Sequence, residues 1–431
     1  MKYSNDVPDG YKATELGVLP EEWDIIAIGK FASSKSGGTP STLKEEYWKN
    51  GTVPWVNSGA LKDNFVNQPS TLITKLGLEN SSAKLFPKKT VLIALTGATT
   101  GRVGILDIES STNQSVVGIL PNSKFISEFL FYTLMYSREQ VLKLCTGAAQ
   151  PHINKAIVEN FLVPFPPLPE QHAISTTLRT LQEAKEKTED VIAATKALKA
   201  AMMKHLFRYG PLPTELAERV AIRETEIGQV PEGWDLQPLG NISKISSGGT
   251  PSRTEPSYWN GEIPWIRTGE INYSIIEKTE EKITKAGLDN SSTRIVPKGT
   301  LLMAMYGEGV TRGRVGITGI DASINQAVAA IFPSEKLLTP FLYYYLEFSY
   351  EKNRLLGHGA HQRNLSATII KTILVPVPTE KTQQQIVEIL SSIDQKLAAE
   401  QSRKEALDTL FTSLLDDLMT AKIRVKPAEI A

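Results

Sequence analysis

The feature that most constrains this chain is an internal repeat. The stretch Thr14-Glu-Leu-Gly-Val-Leu-Pro-Glu-Glu-Trp-Asp returns as Thr225-Glu-Ile-Gly-Gln-Val-Pro-Glu-Gly-Trp-Asp, so that Trp23 corresponds to Trp234, 211 positions later. A period of this length is far too long for a solenoid, whose repeats run over about 20 to 50 residues. The chain therefore contains two copies of one domain.

Further blocks extend the match along both copies. They are Ser36–Ser41 with Ser247–Ser252, Tyr47–Trp55 with Tyr258–Trp265, Gly77–Ser82 with Gly287–Ser292, Gly101–Ile105 with Gly313–Ile317, Asn113-Gln114 with Asn325-Gln326, and Leu162–Pro166 with Leu374–Pro378. Short apolar runs bounded by turn residues predict strands at Val91–Leu95, Val103–Leu106 and Val116–Leu120, and at Leu301–Met305, Val315–Thr318 and Ala327–Ile331. A predicted helix follows in each copy, at Lys124–Thr146 and Thr339–Leu356. Each copy is therefore predicted to be an α+β domain.

Each copy leads into a stretch that predicts one long helix, Pro169–Phe207 and Thr382–Lys422. Apolar residues recur at heptad spacing in both, and neither helix could bury its apolar stripe alone. We therefore expect the two helices to pack on each other. The first stripe is weaker, because polar residues take four of its positions, Lys185, Thr188, Thr195 and Lys199. These positions are either tolerated or bind partners, and the tail after Lys422 is expected to be frayed.

The predicted fold is α+β, with two duplicated globular domains joined by two long antiparallel coiled-coil helices and with internal pseudo-twofold symmetry. The predicted boundaries are residues 1–167 for the first domain, 168–210 for the first long helix, 211–378 for the second domain with its leading linker, and 379–425 for the second long helix.

Composition excludes several classes of protein. The 47 basic and 47 acidic residues balance, so any surface that binds nucleic acid must be a local feature. A single cysteine, Cys145, cannot form an internal disulfide. The N-terminal residues lack the apolar core of a signal peptide, and no run of about 18 apolar residues occurs. We expect a cytoplasmic protein that is not inserted in a membrane.

Motifs for chemistry are missing. The stretch Gly97–Gly104 resembles a phosphate-binding loop but lacks its Gly-Lys-Ser/Thr ending, and no Gly-x-Gly-x-x-Gly opens a βαβ unit. The Asn/Asp-Pro-Pro-aromatic tetrapeptide of amino-methyltransferases is absent, and the five histidines lack the spacing of metal ligands. We predict no catalytic residue and no metal site, so that another chain would supply any chemistry.

Together these blocks resemble the specificity subunit of type I restriction–modification systems. The resemblance rests on the repeat, the opening Thr-Glu-x-Gly-x-x-Pro-x-x-Trp, and a proline-rich turn into each long helix near Gln171 and Gln383, and it spans about Thr14 to Lys422. It implies that each globular part is a target recognition domain for one half of a bipartite, asymmetric DNA sequence, with the helices setting the gap. One departure is that Thr382-Gln-Gln-Gln-Ile lacks the Pro-x-x-Glu-Gln of Pro167–Gln171, which leaves the start of the second helix open.

The same resemblance implies which partners the chain has. They are double-stranded DNA, two modification (methyltransferase) subunits and restriction (motor and nuclease) subunits. S-adenosylmethionine for adenine-N6 methylation, ATP and Mg would belong to those subunits, and this chain would be non-catalytic and hold no cofactor. A stand-alone restriction–modification enzyme is disfavoured by the missing motifs. A structural adaptor with duplicated protein-binding domains is the other alternative, and it would lack the steep salt dependence of DNA binding.

Charge and loop length indicate where DNA would bind. Residues 30–104 carry ten basic and four acidic side chains, and residues 244–316 carry ten and eight. The loop Thr96–Arg102 corresponds to Tyr306–Arg314, which is two residues longer between strands that hardly changed. In the longer loop, Glu308 could accept a hydrogen bond from cytosine N4, and an arginine could pair with guanine. The alternatives are a turn-capping role for Glu308 and phosphate or structural contacts for the arginines.

A second loop, Gly147–Asn154 against Gly359–Ser366, is polar and begins with glycine in both copies. Trp48, Trp55, Trp259 and Trp265 are expected in the core, because prolines and aliphatic residues surround them. The candidate DNA-binding residues are Lys35, Asn57, Thr99, Thr100, Arg102, Gln150, His152, Asn154, Arg253, Arg267, Glu308, Thr311, Arg312, Arg314, His361, Gln362, Arg363 and Asn364.

Overall fold

The computed structural model describes residues 7–145, 152–307, 310–356 and 364–425. Contacts within the chain divide it into two compact units. Unit 1 comprises Met1–Glu189 and Ser402–Ala431, and unit 2 comprises Asp190–Gln401. Each long helix is therefore divided between the two units.

Unit 1 consists of short strands, short helices and the ends of the two long helices. Its elements in chain order are β1 (Tyr11–Thr14), β2 (Gly17–Pro20), β3 (Asp24–Ala27), α1 (Ile28–Phe31), β4 (Ser34–Ser36), β5 (Val53–Val56), β6 (Asn64–Val66), β7 (Thr71–Ile73), α2 (Lys75–Glu79), β8 (Leu85–Phe86), β9 (Val91–Ala94), β10 (Val103–Leu106), β11 (Ser110–Thr112), β12 (Val116–Ile119), α3 (Ser127–Tyr136), α4 (Arg138–Lys143), α5 (Lys155–Asn160), β13 (Leu162–Phe165) and α6 (Leu168–Tyr209), which continues into unit 2.

Unit 2 repeats this order, except that a 3-10 helix, Leu239–Asn241, takes the place of α1. Its elements are β14 (Ile222–Thr225), β15 (Gly228–Pro231), β16 (Asp235–Pro238), β17 (Ile245–Ser247), β18 (Trp259–Ile266), β19 (Ile275–Ile276), β20 (Glu281–Ile283), α7 (Lys285–Asp289), β21 (Ile295–Val296), β22 (Leu301–Ala304), β23 (Val315–Thr318), β24 (Ala322–Ile324), β25 (Val328–Ile331), α8 (Thr339–Phe348), α9 (Tyr350–Leu355), α10 (Ala367–Thr372), β26 (Leu374–Val377) and α11 (Glu380–Met419), whose last part belongs to unit 1.

The two units share one sheet topology. Unit 1 has a five-stranded sheet in the order β4-β12-β9-β10-β6 and a four-stranded sheet in the order β7-β5-β11-β8, and unit 2 has β17-β25-β22-β23-β19 and β20-β18-β24-β21. In each five-stranded sheet one edge strand pairs in parallel, β6 with β10 and β19 with β23. The α+β class and the duplication predicted from the sequence are confirmed.

The central strands read as continuous apolar runs because both of their faces are covered. In β9, Val91 and Ile93 join a core cluster that contains α3, whereas Leu92 and Ala94 face a second cluster with residues of β5 and β8. The five-stranded sheet is thus packed between a helix and the four-stranded sheet. The predicted strands agree with the structure to within one residue at each end.

The helix predicted over Lys124–Thr146 is wrong in its extent. The structure has α3 and α4 instead, and Thr146 lies outside the described residues. The break is at Ser137, whose ψ of 9° turns the chain at the shared end of the two helices. The second copy breaks in the same way at Ser349, between α8 and α9. An apolar pattern does not record such a break, because both segments pack on the same core.

The long helices begin at matched positions, which the sequence left open for the second copy. Gln171 is fully buried, accepts a hydrogen bond from the amide N–H of Ile126 and donates one to the Pro166 carbonyl. Gln383 makes the equivalent bonds with Leu338 and Pro378. One glutamine therefore fastens each long helix to its globular domain. Gly210, at a φ of +82°, ends α6, as glycine commonly does at helix C-termini.

Within unit 1 the helix ends pair in antiparallel fashion, because Lys185 bonds Asp408 and Glu189 bonds Lys404. The polar side chains at heptad positions of the first helix find bonding partners within the protein. Thr188 and Thr195 are buried and donate hydrogen bonds to carbonyls one turn earlier in the helix. The apolar stripe thus tolerates these threonines, since their hydroxyls find backbone partners.

The sequence predicts a frayed tail after Lys422. This prediction is wrong for the residues up to 425, the last ones described in the tail. Arg424 bonds both oxygens of Glu170 and also contacts Glu22. The phenol of Tyr11 donates to the Ala421 carbonyl. Both chain ends of unit 1 are therefore held together, which the sequence could not show because Glu170 lies 254 positions before Arg424.

Candidate nucleic-acid interface

The structure brings the start of the first predicted recognition loop of unit 1 together with the described end of the second. Thr96, at the start of the first loop, forms an isolated antiparallel bridge with His152 in the second. The amide of Ile153 donates a 3.0 Å hydrogen bond to the Leu95 carbonyl. The two loops are thus side by side at one end of β9.

Unit 2 repeats this arrangement. The amide of Leu365 donates a 3.0 Å hydrogen bond to the Met305 carbonyl at the end of β22. Asn364, which is half-buried, lines a hollow of 630 Å³ together with Tyr306. The described ends of the same two loops therefore meet at the same edge of both units.

The first loop of unit 1 is a tight turn that presents Arg102. Gly97 and Gly101 have φ values of +76° and +74°, in a region that favours glycine. Thr100 is buried and its hydroxyl donates to the Gly97 carbonyl at 2.7 Å, so this side chain supports the turn. Thr99 is half-buried, and Arg102 is exposed.

Arg102 is held by an acidic residue that the sequence analysis missed. Its guanidinium binds Asp63 at 2.6 Å, and Arg138 contacts the same carboxylate. Asp63 has a φ of 61°, where aspartate is among the few non-glycine residues tolerated, and it also accepts a hydrogen bond from the amide of Val103. The sequence does not reveal this left-handed conformation, because the residue at the position is not glycine.

The equivalent arginine of unit 2 is held by neutral groups. Arg314 donates to the Asn272 side-chain oxygen at 2.7 Å and lies 5.9 Å from the centre of the Tyr273 ring. Tyr273 takes the place of Asp63, with a φ of 53°, and burial raises the pKa of its phenol. Among the described residues no carboxylate pairs with Arg314. The two arginines therefore keep the same position with different local charge.

Arg253 and Arg267 belong to an ion-pair network within unit 2. Arg253 binds Glu281 through two hydrogen bonds of 2.6 and 2.9 Å and lies 3.7 Å above the ring of Trp259. The carboxylate raises the pKa of Arg253, and the arginine lowers the pKa of Glu281. Arg267 contacts Glu280 and Glu281. Each guanidinium is paired with at least one carboxylate. The role of the two arginines in DNA binding stays a prediction.

The other candidates have separate environments. Lys35 is exposed on β4, and Asn154 caps α5 by accepting from the amide of Ile157. Thr311 accepts from the amide of Arg314 through its carbonyl, Arg312 and Asn57 are half-buried, and His152 is exposed. Gln150, Glu308, His361, Gln362 and Arg363 lie outside the described residues.

The recurring glycine pair lies where other segments approach the backbone closely, and it also holds the buried tryptophans. Trp55 and Trp265 are buried and donate hydrogen bonds to the carbonyls of Gly38 and Gly249. Trp48 and Trp259 are half-buried and pack edge-on against them. A side chain at Gly37 would collide with Thr112, so the backbone of this block must be bare to approach β11. The expectation of a core role is confirmed for Trp55 and Trp265.

Over the described ranges, no group of three or more His, Cys, Asp or Glu side chains is arranged to hold a metal ion. No helix in the described part of the chain is long and apolar enough to cross a membrane.

Comparisons with known proteins agree with the resemblance. The chain is 24% identical over 428 residues to the type I restriction enzyme MjaIX specificity subunit of Methanocaldococcus jannaschii, covering 96% of this chain and 97% of that protein. It is 25% identical to the MjaVIII specificity subunit of the same organism, with 95% and 94% covered.

Two solved structures share the fold. The S subunit of a type I restriction–modification system from M. genitalium matches with a TM-score of 0.62 at 18% identity, over 97% of this chain and 98% of that one. A chain from work on complex assembly and conformational transition of the type I restriction–modification system matches with a TM-score of 0.55 at 19% identity, over 94% and 99%.

The family model "Type I restriction modification DNA specificity domain" matches twice, at residues 20–194 and 231–409. Each match contains one complete pair of the loops described above. The chain belongs to the type I restriction–modification specificity-subunit family and carries its DNA specificity domain in duplicate.

Proposed function

We propose that this chain reads the two halves of a bipartite, asymmetric DNA site, one half with each unit, and scaffolds the modification and restriction subunits. The observation that carries the proposal is the recurrence of one two-loop surface at the same edge of both units, with changed side chains on a common framework. Two copies of one framework with different contact residues favour two different half-sites.

The exposed chemistry of this surface suits a DNA groove. Arg102 is exposed and pre-positioned, and a guanidinium can pair with guanine O6 and N7 or with a phosphate. The unit 2 loop is longer and carries Arg312 in addition to Arg314. Under this proposal the chain positions DNA, while the S-adenosylmethionine, ATP and Mg of the reactions belong to the partner subunits.

The long helices support the scaffold part of the proposal. α6 has 42 residues and α11 has 40, which corresponds to helices about 60 Å long at about 1.5 Å per residue. Each is fastened to its own domain by a buried glutamine, so its direction is fixed at its first turn. We propose that this pair sets the gap between the half-sites and offers the docking surface for the modification subunits.

Exchanging one loop tests the reading function. When Ala98–Thr100 is replaced by the sequence of Glu308–Arg312, we expect one half of the recognised motif to change and the other to stay as it is. The reason is that the exchanged loop lies on unit 1 alone. The measurement is sequencing of methylated adenines in DNA from cells that carry the variant and its modification subunits.

A control is the corresponding exchange in the β1–β2 turn, where replacing Glu15-Leu16 by the residues of Glu226-Ile227 changes a single side chain, Leu16→Ile. It should leave both halves of the motif unchanged. A loop exchange that methylates the original motif would move recognition away from this surface. An adaptor that does not bind DNA would show no motif that depends on this chain at all.

A further inference from the structure

Each unit has a groove next to its first recognition loop. In unit 1 the groove has a volume of 380 Å³ and lies between the turn after β5 and the segment after β6. In unit 2 the corresponding groove has a volume of 830 Å³ and lies between the turn after β18 and the segment after β19. The groove is thus a repeated feature of the fold, outside the two loops discussed so far.

The groove and the first loop form one continuous surface. Lys62 and Asn64, which line the unit 1 groove, are the chain neighbours of Asp63, and Asp63 binds Arg102 of the loop. In unit 2 the loop arginine, Arg314, bonds Asn272, two residues before the groove residue Ser274. The groove therefore lies beside the loop arginine in each unit.

The groove presents one pair of side chains whose chemistry differs between the units. Asn67 and Gln68 of unit 1 correspond to Glu277 and Lys278 of unit 2. All four are exposed, line the groove, and make no hydrogen bond or ion pair with any residue in the described ranges. By contrast, their neighbours Glu280 and Arg267 are engaged with each other.

The backbone on either side of these pairs is fixed. In unit 1 the amide of Asp107 donates to the Val66 carbonyl at 3.0 Å, and the amide of Ser70 donates to the Trp55 carbonyl at 3.0 Å. In unit 2 the amide of Gly319 donates to the Ile276 carbonyl at 2.8 Å, and the amide of Glu280 donates to Glu270 at 2.9 Å. Because the backbone of the segment is already held, a ligand would have to order only these side chains, which limits the entropy cost of binding.

We propose that these grooves are second base-reading sites, which read an A·T pair in unit 1 and a G·C pair in unit 2. An asparagine or glutamine amide matches the donor and acceptor of adenine N6 and N7. A glutamate accepts from cytosine N4, and a lysine donates to guanine O6 and N7. The proposal rests on the proposed function and adds the residues and the base class that each unit selects.

The test transfers the unit 2 pair into unit 1. The double variant Asn67→Glu with Gln68→Lys, assembled with its modification subunits, is used to select bound sequences from a randomised duplex library. We expect one position of the first half-site to change from A·T to G·C, with a shift in relative preference of about 5- to 150-fold, the range for one bidentate contact. The second half-site should not change.

Two further variants complete the design. Asn160→Glu repeats the Asn67→Glu change at an exposed amide next to Glu159, which bonds Ser34 of β4 at the opposite edge of the five-stranded sheet from β6, and should leave the motif unchanged. Glu277→Gln with Lys278→Met should relax one G·C position in the second half-site only. This second double variant keeps the proposal testable if the first one does not fold.

The outcomes separate this proposal from the proposed function. If the double variants select the wild-type bipartite motif, the groove does not read bases, although the two-unit function stands. If the double variants select the wild-type motif but no longer elute together with the modification subunits on size-exclusion chromatography, the groove is a protein contact. The base-reading proposal is then overturned. If the wild-type complex selects no bipartite motif, the proposed function itself fails.

Discussion

Replacing Lys199 with methionine is expected to lower the free energy of unfolding of unit 2 by about 2 to 4 kcal/mol, the scale of breaking a largely buried ion pair. Lys199 binds both oxygens of Glu347, at 2.9 and 3.0 Å, and Asp394 at 2.8 Å. Its side chain is only 13% exposed, and burial already raises the pKa of Glu347. Without the lysine, two half-buried carboxylates would face each other with no cation between them.

The matched control for this variant is Lys185→Met. Lys185 also lies on α6 and pairs with Asp408, but the two side chains are 24% and 43% exposed. We therefore expect a loss of about 1 kcal/mol or less. Hydrogen exchange of the α8 amides in unit 2 and of the α3 amides in unit 1 measures each effect in its own unit. Equal losses of unfolding free energy in the two variants would mean that the Lys199 network stabilises unit 2 no more than an exposed ion pair does.

The repeat offers a rescue for the same network. In unit 1, Phe411, Met135 and Gln182 take the places of Lys199, Glu347 and Asp394. Phe411 packs against Tyr132, whose hydroxyl donates to Gln182 at 3.0 Å. The triple variant Lys199→Phe, Glu347→Met and Asp394→Gln should therefore recover most of the loss. Such a recovery would show that these three residues can be either an ion-pair network or the set found in unit 1, provided that all three change together.

Replacing Arg424 with methionine is expected to destabilise unit 1 by about 2 to 4 kcal/mol, because it leaves the carboxylate of Glu170 short of its charged partner. That side chain is 7% exposed, and among the side chains of the described residues its one remaining hydrogen-bond donor would be the indole of Trp23, at 2.9 Å. Lys422→Met is the control, since the pair of Lys422 with Asp416 is exposed, and it should have a much smaller effect. The measurement is hydrogen exchange in the first turns of α6. Similar protection in both variants would contradict the role given to Arg424.

The sequence predicts the parts of the fold that depend on local pattern. Strands such as β9 and β22 are short apolar runs between turn residues, and the long helices carry a heptad stripe, so composition and spacing were sufficient. The breaks at Ser137 and Ser349 were missed because the apolar pattern continues across them. The fixing of Arg424 was missed because its partner is distant in sequence.

For the candidate site, too, local features could be predicted from the sequence and distant contacts could not. The two loops could be placed on the ends of strands from the sequence, and the structure brings them together. The partners of the arginines could not be predicted. Asp63 lies 39 residues before Arg102, and Glu281 lies 28 residues after Arg253, so only the folded sheet makes them neighbours. The groove residues carry no motif in the sequence, and only equivalent positions of two folded copies single them out as candidates.

The central claim is that the two units read two half-sites. The most direct test is to sequence methylated adenines in DNA from cells that carry this chain with its modification subunits, and from cells that lack this chain. We expect one motif that depends on the chain, with two specified halves separated by a constant number of unspecified bases. A single uninterrupted motif, or the same motif in cells without the chain, would contradict it.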